Sequence, residues 1–247
     1  DESCVSRKKE KASSGYMDEQ QHLEEIYASL LKKYHDLETY SAWEKDTEET
    51  NKITLIHNGT QAGRKAPQVL QAIQYLSENA KHVIIQTPYV ICNDDMYEVL
   101  QGISDHAKLQ IVLNAVEKGS NPWGCTDYLN QKKKILKTGA DVYELMNDYP
   151  VHTKAVLIDE RLSVVGSYNL DMRSTYLDTE LMLVIDSEKL NQRIRSTEAD
   201  YMEKSREILA NGQETDGAEY QGKVLNWQKK FYYDVLKIII RPIRQLL

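Results

Sequence analysis

The chain has 247 residues, 41% hydrophobic and 28% charged, a composition that excludes disordered and collagenous classes and suits a folded globular protein. No run of eighteen uncharged apolar residues occurs, which rules out a membrane-spanning helix within it, and a formal charge of −7 argues against a general nucleic-acid binder. Three distant cysteines (Cys4, Cys92 and Cys125) form no CxxC pair, so neither a disulfide framework nor a structural zinc site is indicated and the thiols read as reduced.

The sequence begins at Asp1 without an initiator Met or a signal-like apolar stretch, and reads as a piece of something longer. Residues 1–15 are small and polar, a mobile tail. Residues 17–41 predict a helix, with Leu23, Ile26, Leu30, Leu31, Tyr34 and Leu37 recurring at three and four. A charged connector leads to a short strand at Ile53–Ile56, closed by the turn signal His57-Asn58-Gly59-Thr60. Pro67 opens a helix that buries Val69, Leu70, Ile73 and Leu76. Val83–Ile85 is an apolar strand stopped at Thr87-Pro88, and Asp94-Asp95 start the next helix. Leu109–Leu113 is a strand, Tyr128–Leu136 a helix and Val142–Leu145 a strand. This alternation predicts an α/β domain: a mixed, mostly parallel β-sheet flanked by helices on both faces.

From Val151 the rhythm changes. Val151–Ile158, Leu162–Val165 and Leu181–Ile185 read as strands, the first two joined by the turn Asp159-Glu160-Arg161. A helix is expected over 188–209, a polar linker over 210–222, and an apolar-basic segment over Trp227–Leu247. Three parts follow: a tail and helical connector at 1–50, a main lobe at 51–210 that holds the candidate chemistry described next, and a linker with a C-terminal amphipathic basic helix at 211–247.

The chemistry lies between residues 152 and 180. His152 and Lys154 are two apart on an expected strand, so their side chains leave one face. Ser167 and Asn169 share that spacing at the end of the next strand, and pairing across the turn would bring all four together. A histidine, a fixed cation, a hydroxyl and an amide suit a phosphate ester, with Lys154 supplying charge and Ser167 and Asn169 hydrogen bonds. Neutral imidazole attacks phosphorus at neutral pH if its second nitrogen is held, and Glu180, on the following strand, is the candidate to hold it. No metal and no cofactor is required by this chemistry. His57 and Tyr89 stand at strand ends, where they either line the pocket or pack.

His152-x-Lys154, four residues, Asp159, six residues, then Gly166-Ser167-x-Asn169 resembles the HKD signature of the phospholipase D superfamily. The continuation through Asp171, Arg173-Ser174 and Thr179-Glu180 is similar to the second HKD half of bacterial cardiolipin synthases, as are Thr87-Pro88-Tyr89 and His57-Asn58-Gly59 upstream. The resemblance implies phosphodiester transfer in two steps. One histidine forms a phosphohistidine, and a second, from another HKD unit, protonates the leaving alcohol. It implies a buttressing role for the motif aspartate, Asp159, and a loop-ordering role for Arg173. It also implies a phospholipid substrate such as phosphatidylglycerol. No other histidine here has a Lys at +2 with an Asp five further on, so a second lobe, in cis or as a homodimer mate, is expected. A homodimeric HKD nuclease is the alternative, disfavoured by the acidic balance; a non-enzymatic scaffold is disfavoured by the intact motif.

Residues 225–247 carry Lys229, Lys230, Lys237, Arg241 and Arg244 against Asp234 alone, interleaved with Tyr232, Val235, Leu236, Ile239, Ile243 and Leu246. This pattern, with Pro242 limiting the helix, is read either as contact with an anionic membrane surface or a partner, or as packing on the domain's own sheet; the lipid substrate that the resemblance implies favours the former and gives a peripheral, cytoplasmic-face location.

Overall fold

The computed structural model describes residues 14–35, 39, 41, 45 and 47–246. The chain divides into two units between Thr47 and Glu48. The first contains helix α1 (Ser14–Lys33), on which Leu23, Ile26, Tyr27 and Leu30 are exposed. Ser14 and Gly15, expected in the tail, open that helix; residues 1–13, Cys4 and much of the stretch expected to continue the helix lie outside the described residues.

The second unit is built on a nine-stranded sheet. The strands are β1 (Lys52–His57), β2 (His82–Gln86), β4 (Lys108–Asn114), β5 (Asp141–Leu145), β6 (Ala155–Ile158), β7 (Leu162–Gly166), β9 (Leu181–Asp186), β10 (Ser205–Ile208) and β11 (Glu214–Asp216). Their spatial order is β1-β9-β7-β6-β2-β4-β5-β10-β11. A separate pair, β3 (Val90–Ile91) and β8 (Leu170–Asp171), runs parallel.

The α/β class and the mixed sheet are as expected, but the sheet is not mostly parallel. Only β2–β4 and β4–β5 are parallel; the other six pairings are antiparallel. The crossovers through α3 (Asp94–Ser104) and α4 (Pro122–Lys137) do give parallel neighbours, as such connections must. The hairpin β6–β7 and strand β9 then add antiparallel strands on one side, and β10–β11 on the other. Two further expectations fail. The helix after Ser187 ends at Glu203 and Ser205–Ile208 is a strand, while Glu214–Asp216, within the expected linker, is its antiparallel partner.

Helices start where a side chain can take the orphan N–H groups. Asn93 caps α3, Asn121 caps α4 ahead of Pro122, Asp171 caps the short α5 (Met172–Tyr176), and Ser187 caps α6 (Glu188–Glu203). One sheet face is covered by α2 (Gln68–Ser77), α3, α4 and α7 (Trp227–Ile239). Val69, Ile73, Met96, Leu100, Tyr128, Ile135, Tyr233 and Leu236 pack there on Val83, Ile111, Val142, Val156 and Val164. The opposite face has a smaller core of Ile84, Val112, Tyr143, Leu145 and Leu157, roofed by Ile194, Tyr201 and Met202 of α6. Each sheet face thus buries the alternate residues of its strands.

Candidate active site

Residues 151–154, expected to open β6, run outside the sheet, and the strand begins at Ala155. Their backbone is held by a side chain instead. Asn114, buried at the end of β4, donates from Nδ2 to the Val151 carbonyl at 2.8 Å and to the Pro88 carbonyl at 3.1 Å. Its Oδ1 accepts the Val151 N–H at 2.8 Å. The amide reproduces a strand's ladder at the residue before His152 and ties it to the Thr87–Tyr89 turn. Nothing in the motif marked Asn114; only its position at a strand end could have.

His152 and Lys154 do converge, through the turn of an irregular segment rather than through strand alternation. Lys154 Nζ donates to His152 Nδ1 at 2.8 Å and to the His152 carbonyl at 2.7 Å. His152 is exposed, whereas Lys154 is buried. Partial burial, and then the neighbouring Lys154 charge, lower the imidazole pKa, so the ring is neutral at neutral pH. Burial also lowers the Lys154 pKa, opposed by the carboxylates of Glu180 and Asp171. Asp171 is itself raised to about 6, by burial first, against the stabilising Ser174 N–H.

Ser167 meets Glu180: its hydroxyl donates to Glu180 Oε2 and accepts the Leu181 N–H at 3.0 Å. Among the described residues no hydrogen bond joins Glu180 to the imidazole, contrary to expectation; its charge acts on Lys154 instead. The β7–β9 register, which sets Gly166 against Met182, carries Ser167 onto Glu180 first. Gly166 is required by the same approach, because a Cβ there would lie 2.9 Å from Met182 Cα and closer still to the Leu181 carbonyl.

Asn169 donates from Nδ2 to Ser174 Oγ at 3.4 Å, while its Oδ1 is buried without a partner. A half-turn of this amide exchanges the ends: the oxygen then accepts the Ser174 hydroxyl and the unpartnered group becomes a donor. Tyr89 is half-buried beside Gly124, with Asn121 on its hydroxyl and Asp171, Arg173 and Glu180 within electrostatic reach.

Three expected residues have partners other than the His152–Lys154 pair. Asp159 is at the other end of the hairpin, at φ 47°, where its carboxylate accepts the N–H groups of Lys81 at 2.8 Å and His82 at 3.0 Å. His57 turns its Nδ1 to the Asn58 carbonyl at 2.8 Å. Arg173 is exposed and pairs with Asp178 at 2.9 Å. A buried second ammonium was not anticipated: Lys65 donates to Thr179 Oγ1 at 2.7 Å, one residue from Glu180. Among the described residues no group of three His, Cys, Asp or Glu side chains could hold a metal ion. The arrangement offers a neutral, outward-facing imidazole with a cation on one nitrogen, which suits attack at an anionic ester.

A family model described as "Cardiolipin synthase, PLD-like domain" matches residues 72–200. Cardiolipin synthase A of Pectobacterium carotovorum is 30% identical over 158 residues, covering 62% of this chain and 30% of that protein. Cardiolipin synthase A of Klebsiella pneumoniae is 31% identical over 131 residues, covering 51% and 26%. The chain thus spans about 30% of the length of the curated relatives it matches. Among solved structures, Nuc from Salmonella typhimurium, a phospholipase D family member, has a TM-score of 0.51 at 15% identity over 63% of this chain and 98% of Nuc. Phosphatidylserine synthase of Haemophilus influenzae gives 0.52 at 13% identity over 79% of this chain and 47% of the synthase. At these identities the likeness to the solved structures is one of fold.

Proposed function

The chain belongs to the cardiolipin synthase, phospholipase D-like domain family, and from that premise we propose that it is one catalytic lobe of a phosphatidyltransferase acting through a phosphohistidine. The single observation that carries this reading is the contact between His152 and Lys154, 2.8 Å from ammonium to imidazole, at the mouth of the β6–β7 hairpin. The ammonium occupies a lone pair of the ring. A phosphodiester oxygen, a charged acceptor, competes for that ammonium and releases the imidazole toward phosphorus.

The imidazole nitrogen then forms the N–P bond while the P–O bond to the leaving alcohol breaks. The leaving oxygen takes its proton from the histidine of a second HKD lobe. That histidine next removes the proton of an acceptor alcohol, whose oxygen displaces the imidazole from phosphorus; water in its place gives hydrolysis. Lys154 balances the phosphoryl charge, with Asn169 as a further donor. Glu180 fixes Ser167 and, with Asp171, keeps Lys154 charged. Asp159 buttresses the far end of the hairpin, and Arg173 orders the loop after Asn169.

The substrate is a phospholipid such as phosphatidylglycerol, met by a peripheral protein at the cytoplasmic face of an anionic membrane; no described helix is long and apolar enough to cross one. The second lobe comes in cis or from a homodimer mate. The bare apolar face of β1 and β9, with Ile53, Leu55, Leu181 and Leu183 exposed beside Glu180, supports such pairing. The nuclease reading is weakened by the charge of −7.

The test is the full protein, with its second lobe, on phosphatidylglycerol vesicles. Cardiolipin and glycerol are the expected products, and His152→Ala should lower turnover by about 10³-fold or more. Undiminished turnover in that variant, or cleavage of DNA in place of lipid, would overturn the reading.

A further inference from the structure

Helix α7 has two apolar sides. Tyr233, Leu236 and the following Ile240 are buried at 2%, 6% and 0% exposure, and fix the helix to the domain. The opposite side carries Trp227, Phe231, Val235 and Ile238, exposed at 77%, 66%, 40% and 70%. Their spacing of four, four and three lines them up along one stripe. Leu236, which the sequence alone puts in the outward set, faces in; Trp227, Phe231 and Ile238, which it leaves out, face solvent. Scattered exposed apolar residues need no explanation, but a contiguous stripe with Trp and Phe does.

The stripe is rigidly presented. Asn226 caps the helix on Lys229 N at 2.8 Å. Lys229 Nζ donates to the Glu117 carbonyl at 2.9 Å, and Asn130 Nδ2 donates to the Lys237 carbonyl at 3.1 Å. Glu117 follows by three residues Asn114, whose amide holds Val151 next to His152. The helix therefore stands at the end of the sheet where the candidate site lies.

The charge around the stripe is net positive. Lys223, Lys230 and Arg241 are exposed and have no ion-pair partner among the described residues, while the single acid of the helix, Asp234, is taken by Lys237 at 3.0 Å. In a chain of net charge −7 this is a local reversal. An apolar stripe rimmed by cations is complementary to a bilayer with anionic headgroups, where rings enter the acyl boundary and ammonium groups meet phosphates.

We propose that Trp227, Phe231, Val235 and Ile238, with Lys230 and Arg241 at their edge, are the surface on which this lobe docks to an anionic lipid bilayer. The inference rests on the phosphatidyltransferase reading for its purpose, bringing lipid to the site, but the docking is measured without turnover. The full chain is sedimented with vesicles of phosphatidylglycerol and phosphatidylcholine, or of phosphatidylcholine alone. Binding is expected to need the anionic lipid and to fall with salt. Phe231→Ser with Ile238→Ser, and separately Lys230→Glu with Arg241→Glu, should each lower the partition coefficient at least about tenfold, with thermal melting unchanged. Wild-type binding in both double variants would overturn the proposal. So would a stable dimer in ultracentrifugation that Phe231→Ser with Ile238→Ser dissolves, since the stripe would then belong to a second copy. Docking that survives while His152→Ala stays fully active would sink the catalytic reading alone.

Discussion

Residue 114 does for His152 what strand pairing does elsewhere. With Val151 outside the sheet, one side-chain amide supplies both the donor and the acceptor of a ladder pair, and a second donation fixes the Pro88 carbonyl. Asn114→Asp keeps the acceptor, loses both donations and sets a carboxylate against two carbonyl oxygens. The segment should loosen and His152 should drift from Lys154. We expect turnover to fall about ten- to a hundredfold with little change in KM, because geometry rather than binding is lost. The sign of the accompanying titration is fixed. Partial burial and Lys154 hold the His152 pKa down in the native chain, so its pKa should rise toward the ordinary imidazole value of about 6.5. Imidazole NMR across pH reads this, and an unmoved His152 titration would make Asn114 a packing residue only.

Elements whose sequence carries its own periodicity were legible: the α3 crossover, the β6–β7 hairpin and the terminal helix follow from spacing and caps, whereas α4 was read only from Tyr128 and its first turns from Pro122, capped by Asn121, were missed. Elements that exist only through tertiary partners were not. The pair β3–β8 is two residues long on each side and leans on Thr87, whose Oγ1 accepts the Leu170 N–H at 3.2 Å. Strand β10 continues an apparently helical segment, and only its register against β5 makes Ser205–Ile208 extended. The four-residue gap before β6 was hidden for the same reason. The motif named His152, Lys154, Ser167 and Asn169, yet who bonds to whom depends on register, so Glu180 went to Ser167.

The terminal 3₁₀ turn (Arg241–Leu246) shows how such contacts bind elements together. Arg244 Nε meets Asp127 Oδ1 at 2.6 Å and Nη2 meets Oδ2 at 3.1 Å, with a further donation to the Cys92 carbonyl beside β3. Asp127 has no exposed side-chain surface, and burial raises its pKa against the pull of Arg244. Arg244→Ala strands a buried carboxylate, at a cost of about 3 kcal/mol, or about 6–12 °C in melting temperature for a unit of this size. Asp127→Asn added to Arg244→Ala should recover part of that loss, because the uncompensated charge goes. Equal melting of wild type and Arg244→Ala would show that the clasp adds nothing.

At the scale of the whole molecule, the sheet is covered unevenly. Helix α6 roofs β4, β5 and part of β7, while the outer pair β1–β9 is left largely open on that side among the described residues. Leu55 faces Leu183 across the pair, with Ile53 and Leu181 on the same face, at 56%, 39%, 54% and 51% exposure. Exposed apolar cross-strand neighbours on an edge strand invite association. They lie next to Ser167 and Glu180, beside the proposed site. Leu55→Asp with Leu183→Asp changes only side chains that touch solvent here, so the lobe should keep its fold and melting temperature. Pairing with a second lobe should weaken at least about tenfold, a loss of about 1.4 kcal/mol, and lipid transfer should fall with it, while docking to anionic vesicles through α7 should persist. Light scattering on the assembled protein distinguishes the cases. If the double variant assembles and turns over as the wild type does, the lobes meet through another surface and the bare leucines serve some other contact.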